Sequence, residues 1–278
     1  MSSAPTPSAR RPSVHRFLEM KRAGKPIAVL TAYDYLFARM LEEEGLDLLL
    51  VGDSLGQVVL GRRSTIPVTL DEMIHHASAV RRGAPNSFIV VDLPFMSFQV
   101  SVEEALRNAG RAMKEAEVEA VKVEGATERT LDVVRALVDA GIPVMGHVGL
   151  VPQSVHQLGG YRVQGRGDDD AQIIRDQAAA LQAAGCFSIV LELIPSDLAA
   201  TITADLTIPT IGIGAGPGCD GQVLVLYDAL GLNRGFEPRF LRRFADLDAQ
   251  AREGVRLYLD EVRGGRYPAP EHGFGADG

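Results

Sequence analysis

A disulfide framework is the first thing this sequence lacks. Cys186 and Cys219 are its only cysteines in 278 residues, and so few thiols suit a reducing, cytoplasmic compartment. Tryptophan is missing altogether and aromatics make up 6%, so any core has to be built mainly from aliphatic side chains. A basic excess is missing too. The 28 Lys and Arg stand against 36 Asp and Glu, a formal net charge of −8, which argues against nucleic acid or an anionic membrane as the main partner. No apolar run is long enough to span a bilayer. The opening MSSAPTPSARRPSVHR is basic and Ser/Pro-rich without an apolar centre, so it reads as a disordered tail rather than a secretory signal.

What is present is a set of six apolar runs, each closed by a polar or glycine-rich signature. They are LDLLLVGDS (46–54), SFIVVDLP (87–94), EAVKVEG (119–125), IPVMGHVG (142–149), FSIVLELIP (187–195) and IPTIGIGAG (208–216). Near-continuous Val/Ile/Leu runs are what buried parallel strands look like, because helices cover both faces. Helical periodicity separates most of them, and strand–helix alternation implies a parallel sheet. With IAVLTA (27–32) as a first strand and QVLVLYDALG (222–231) as an eighth, the pattern predicts a (β/α)8 barrel, an α/β fold that typically needs ~250 residues. A helix over 13–23, ended by Gly24 and Pro26, is placed to plug the bottom. The expected organisation is a tail over 1–12, one catalytic domain over 13–264 and an irregular tail over 265–278.

Helix signals fill the intervals. Thr69 and Thr127 stand as N-caps, Ser101 with Glu104 reads as a capping box, and Gly45 and Gly141 close their helices. Residues 55–68 read as a long polar loop. The excursion VPQSVHQLGGYRVQGRGDDD (151–170) is too long to be an idle connection. Helices are expected over 171–185 and near 196–204, and one or two over 238–263.

In such a barrel the chemistry belongs to the C-terminal strand ends. Asp53 and Asp92 either cap the following turn or, on neighbouring strands at one height, suit a hard divalent cation such as Mg²⁺. No zinc-spaced His–Cys cluster is present. Lys122 and Glu124 lie two apart in one strand and therefore point the same way, into the barrel, leaving Val121 and Val123 for the helices. A charged pair there is costly unless partnered. Glu124 can reach a metal directly or through water, and Lys122 can hold a substrate carboxylate or form a Schiff base. Glu192 interrupts the run IVLELIP, and a carboxylate among aliphatic neighbours is poorly solvated, which suits a general base. His147 either hydrogen-bonds a substrate or fills the mouth.

Two motif matches mislead. Gly52-Asp53-Ser54-Leu55-Gly56 fits the nucleophile elbow, but no histidine stands three residues after an aspartate, so Ser54 lacks a base of the kind that hydrolase signature expects. GPGCDG (216–221) fits a dinucleotide fingerprint but carries Pro217 inside it and no acidic strand end at the expected distance.

The segments TAYDY (31–35), LVGDSLG (50–56), DLPFMS (92–97), VKVEG (121–125), GHVGLVPQSV (146–155), GGYRVQGRG (159–167), LELIP (191–195) and IGIGAGPGCDGQVLV (211–225) together resemble the ketopantoate hydroxymethyltransferase family, over about residues 13–272. The resemblance implies a (β/α)8 barrel that is cytoplasmic, commonly decameric and Mg²⁺-dependent. It implies transfer of a hydroxymethyl group from 5,10-methylenetetrahydrofolate to 3-methyl-2-oxobutanoate in pantothenate synthesis. Carried over by motif, Asp53, Asp92 and Glu124 are implied as metal ligands, Asp53, Ser54, Asp92 and Lys122 as oxoacid contacts, and Glu192 as the base. A metal-dependent 2-oxo acid lyase of the phosphoenolpyruvate/isocitrate lyase kind is the rival enzyme reading, but the nucleophilic Cys loop of that group is absent. A non-catalytic binding barrel would have no use for five polar strand ends.

Overall fold

A computed structural model describes residues 12–154, 160 and 162–275. The chain divides into two compact units, one running to Val225 and one from Leu226. The first is the barrel. Its elements are α1 (Val14–Arg22), β1 (Ile27–Thr31), α2 (Tyr35–Glu43), β2 (Leu48–Val51), α3 (Leu55–Val58), α4 (Leu70–Gly83), β3 (Ile89–Asp92), α5 (Val102–Ala116), β4 (Ala120–Lys122), α6 (Glu128–Asp139), β5 (Val144–Gly149), a 3₁₀ turn (Pro152–Ser154), α7 (Asp168–Ala183), β6 (Ser188–Glu192), α8 (Ser196–Asp205), β7 (Thr210–Ile213) and β8 (Gly221–Leu224). The second unit holds α9 (Leu226–Ala229) and α10 (Leu247–Arg263), then a 3₁₀ turn at Pro270–His272.

The eight strands close in chain order, and every neighbouring pair is parallel. Closure comes from β8 on β1, with Ile27 opposite Gly221 and Leu30 opposite Leu224. That register explains where the sequence expectation of a strand over 222–231 fails. Beyond Leu224 the pairing with β1 ends, and the chain turns at once into α9, where the Leu230 N–H donates to the Leu226 carbonyl. The segment expected as a plain loop, 55–68, contains the single turn α3, which buries Leu55 and Gly56. Over 238–263 one helix forms, α10.

The caps follow the sequence. Thr69 and Glu72 make a reciprocal capping box on α4, and Thr127 accepts from the Thr130 N–H. At α5 only half of the expected box exists: Ser101 accepts from the Glu104 N–H at 3.2 Å. Arg62 holds the 55–68 segment down by donating to the Pro67 carbonyl and to both oxygens of Glu72. These bonds hold the Glu72 carboxyl down at about 2, and the exposed pair contributes order rather than much stability.

The barrel interior below the site is apolar and buried. Val29, Leu48, Leu50, Val90, Met145, Val190 and Val223 fill it, the stacked aliphatic arrangement such barrels use. α1 covers the N-terminal mouth, as its position before β1 suggested. Phe17 is 1% exposed and stands edge-on to Phe88, with ring centroids 5.0 Å apart, and against Phe187 at 6.2 Å. A sealed lower mouth leaves the C-terminal mouth as the open end. Phe17→Ala removes a buried aromatic from a packed cluster and is expected to cost about 3–5 kcal/mol. Equilibrium urea denaturation measures this, and a loss below about 1 kcal/mol would show that α1 does not seal the barrel.

Candidate active site

Polar side chains gather at the C-terminal ends of β2 to β6, as the strand pattern required. Asp53 follows β2, Asp92 closes β3, Lys122 closes β4 with Glu124 two residues on, His147 lies in β5 and Glu192 closes β6. Asp92 and Lys122 are direct neighbours in the β3–β4 register. Asp53, Asp92, Lys122, Glu124 and His147 are each at least nine-tenths buried.

The centre is a cation among carboxylates. Lys122 Nζ lies 2.8 Å from Asp92 Oδ1 and 3.4 Å from Glu124 Oε1. The first distance makes an ion pair but not hydrogen-bond geometry, so Asp92 Oδ1 is left without a hydrogen-bond partner. His147 Nδ1 stands 3.3 Å from Glu124 Oε1, and its Nε2 stands 3.2 Å from Glu192 Oε2. Both are ion-pair distances, and neither ring nitrogen makes a hydrogen bond. Of the two sequence readings of His147, contact with substrate or filling of the mouth, the geometry presents a third: an imidazole bridging two carboxylates.

Charge accounts for the protonation states. Burial opposes the charge on Lys122, yet Asp92, Glu124 and Asp53 outweigh it and raise its pKa. Burial likewise opposes the charge on Glu124, and Lys122 and His147 overcome it to hold the carboxyl at about 2. For His147, Glu124 and Glu192 override burial and lift the imidazole to about 9. Asp53 is the exception. Desolvation, then Glu124 and Asp92, push its carboxyl well above the usual range. Four carboxylates around two cations leave a surplus of negative charge, which adds to burial in raising the Asp53 carboxyl.

Such a surplus is a setting in which a cation can bind. One ligand atom each from Asp53, Asp92 and Glu124 lie within 4.8 Å of one another, all buried. An all-oxygen donor set of this kind suits Mg²⁺ or another hard divalent ion. Asp92 Oδ1, which has an ion pair to Lys122 but no hydrogen bond, and the buried Asp53 carboxyl are the groups that a bound cation would engage.

Backbone shape sets the mouth. Leu193, directly after Glu192, has φ of +46°, a conformation costly for a branched-chain residue. Its N–H donates to the Ile213 carbonyl at 2.9 Å, and its carbonyl accepts from the Gln164 N–H at 2.8 Å, which holds the turn. Gly149, opposite Glu192 in the β5–β6 register, has φ of +95°, and a Cβ there would run into the Glu192 carbonyl, so glycine is required. Glu192 itself departs from the aliphatic surroundings expected for it. Its side chain is 18% exposed and its carboxylate meets His147, because the mouth opens at this strand end.

Ser54 shares a 2.8 Å hydrogen bond with the hydroxyl of Tyr33, and Tyr33 is 1% exposed. GPGCDG resolves into the β7–β8 turn. Asp220 accepts from the Thr210 N–H and from Lys21, ties that need no nucleotide. Sequence reasoning missed Gln153 and Gln99. Gln153 donates through its side chain to Asp53 Oδ2 at 3.0 Å and through its backbone to Glu124 Oε2 at 3.0 Å. An uncharged residue in a loop carries no signal that would have singled it out. Within the excursion, residues 155–159 and 161 lie outside the described residues.

The profile of the family described as ketopantoate hydroxymethyltransferase matches residues 11–270. The chain belongs to this family. Among its curated relatives, the 3-methyl-2-oxobutanoate hydroxymethyltransferase of Heliobacterium modesticaldum is 55% identical over 269 residues, 97% of each chain. The enzyme of the same name from Syntrophus aciditrophicus is 55% identical over 255 residues, 92% of this chain and 93% of that one. Among solved structures, 2,3-dimethylmalate lyase superposes with a TM-score of 0.61 at 18% identity, covering 93% of this chain and 92% of that one, a likeness of fold alone. The ketopantoate hydroxymethyltransferase assignment thus rests on the whole chain, not on the barrel shape.

Lys122 is expected to be the residue on which the metal-free site most depends. Lys122→Met takes from Asp92 its cation and from Glu124 one of its two, a change worth about 3–5 kcal/mol for a broken buried pair. Denaturation of metal-free protein tests this, and stability equal to wild type would show that the carboxylates are solvated rather than paired.

Proposed function

We propose that the chain catalyses transfer of a hydroxymethyl group to 3-methyl-2-oxobutanoate, giving ketopantoate for pantothenate synthesis, with 5,10-methylenetetrahydrofolate as the one-carbon donor. The observation that carries this reading is the buried trio of Asp53, Asp92 and Glu124 around Lys122, in a chain whose curated relatives bear that enzyme's name along nearly their whole length.

In this reading Asp53, Asp92 and Glu124 hold one Mg²⁺. The cation, when bound, supplies Lewis-acid stabilisation of the negative charge that develops on the substrate's keto oxygen. Lys122 offsets the charge of the three carboxylates and of the incoming oxoacid carboxylate. Its two carboxylate partners hold the ammonium protonated, which opposes the Schiff-base alternative, since that chemistry needs a free amine. Asp53 and Ser54 face the substrate, with Ser54 oriented by Tyr33.

Glu192, whose side chain is 18% exposed, removes the proton from C3, and the electron pair forms the enolate. C3 then bonds to the one-carbon unit as the first of that carbon's two bonds to folate nitrogen breaks. Water replaces the second nitrogen and supplies the hydroxyl oxygen, and the C3 proton held by Glu192 and the remaining proton of water pass to the two folate nitrogens. His147, charged beside Glu192, holds the carboxylate in place and balances it before the proton arrives. The barrel interior below excludes water and strengthens these interactions.

A cytoplasmic, homo-oligomeric and decameric state completes the reading. Cys186 and Cys219 form no disulfide, and α10 exposes Val255, Leu257, Tyr258 and Val262, apolar side chains that a partner subunit would cover. Light scattering on the purified full chain is expected to give about ten times the 29.8 kDa of one chain, and a monomer mass would remove this part of the proposal.

For the chemistry, Glu192→Gln is expected to retain Mg²⁺ and oxoacid binding yet lose exchange of the C3 proton into D₂O, followed by NMR. The loss expected is about 10²–10⁴-fold, the usual worth of a positioned acid–base group. Exchange at the wild-type rate would remove Glu192 as the base. EDTA is expected to abolish ketopantoate formation in the wild type and added Mg²⁺ to restore it.

A further inference from the structure

Each carboxylate of the trio is held by a single neutral N–H donor. Asp92 Oδ2 accepts from the Asp53 backbone N–H at 3.0 Å. Glu124 Oε2 accepts from the Gln153 backbone N–H at 3.0 Å. Asp53 Oδ2 accepts from Gln153 Nε2 at 3.0 Å. Two of these donors are main chain, and the third is the one side chain that does this work. The same Nε2 donates to the Leu93 carbonyl at 3.0 Å, and Gln153 Oε1 accepts from Gln99 Nε2 at 3.0 Å. Gln99 is anchored in turn, its carbonyl accepting from Arg129 Nη1 at 3.0 Å.

These partners settle the amide orientation. Both groups facing Nε2 are acceptors and the group facing Oε1 is a donor, so a flipped amide would lose all three bonds. They also exclude Gln153 as a ligand, because its oxygen is engaged away from the trio and its NH₂ has no lone pair to offer. The residue is 5% exposed, and it joins the ends of β2, β3 and β4 from the turn after β5.

We infer that Gln153 is the positioning residue of the cation site, its side chain fixing one oxygen of Asp53 and its backbone N–H one oxygen of Glu124, so that the trio is held in place for the ion. The inference rests on the reading of Asp53, Asp92 and Glu124 as the metal ligands. Outer hydrogen bonds to ligating carboxylates set ligand orientation, and losing one typically costs about 10–100-fold in metal affinity.

The test is Mn²⁺ binding to metal-stripped full-length protein, followed by EPR, with folding checked by near-UV CD. Gln153→Met keeps the volume and removes the donor. Its Mn²⁺ Kd is expected to rise about 10–100-fold, with kcat recovering at saturating Mn²⁺, a split that a merely structural role would not produce. Gln153→Asn, a methylene too short to reach Asp53, is expected to show the same loss and serves if the Met variant does not fold. Asp92→Asn separates the two levels. If it loses Mn²⁺ binding while both Gln153 variants bind like wild type, the Gln153 inference is overturned and the metal site stands. If Asp92→Asn binds Mn²⁺ like wild type, or wild type does not bind it, the metal site falls and the inference with it.

Discussion

A buried ammonium among carboxylates is the constraint on which the rest of this structure depends. Lys122 is held inside the barrel mouth by Asp92 and Glu124, and without it Asp92 would lose its cation and Glu124 would keep only His147 in a buried environment. With it, the site still carries more negative charge than positive. Burial and then that imbalance raise the pKa of Asp53, Glu124 and Glu192 override burial to lift that of His147, and the carboxylate oxygens line a space suited to a divalent ion. The aliphatic layers below and the aromatic seal of Phe17, Phe88 and Phe187 matter to function because they keep water from screening these interactions.

The barrel makes such a cluster possible by arithmetic of direction. Strand side chains alternate, so Lys122 and Glu124 share the inward face while Val121 and Val123 pack outward. Parallel pairing then sets the ends of adjacent strands at one height, which brings Asp92 beside Lys122. Loops supply what strands cannot. The turn at Pro152–Ser154 returns over the mouth and places Gln153 against residues from three other strands. The left-handed Leu193 and the glycine at 149 shape the rim at Glu192.

Much of this was legible in the chain. Six apolar runs with polar ends located β2 to β7, and Thr69, Thr127, Gly45 and Gly141 marked helix ends, because strand burial and capping are local signals. The eighth strand was overextended, since its length is decided by how far β1 offers partners, a property of closure. The turn α3 was read as loop because one helical turn leaves no periodicity. Glu192 was expected among aliphatic neighbours because its sequence neighbours are aliphatic, whereas its carboxylate meets His147, 45 positions away along the chain.

By itself the sequence determined the barrel class, the inward pairing of Lys122 with Glu124, and the family, whose motifs are long contiguous strings. Only the tertiary structure decided which charges meet. Asp53 and Gln153 are 100 residues apart, and nothing in either neighbourhood names the other. His147 became a bridge between two carboxylates, and Gln153 a clamp, because electrostatics and hydrogen bonding act over a few ångströms of space. Sequence patterns report burial and direction, and it is barrel closure that converts them into distances.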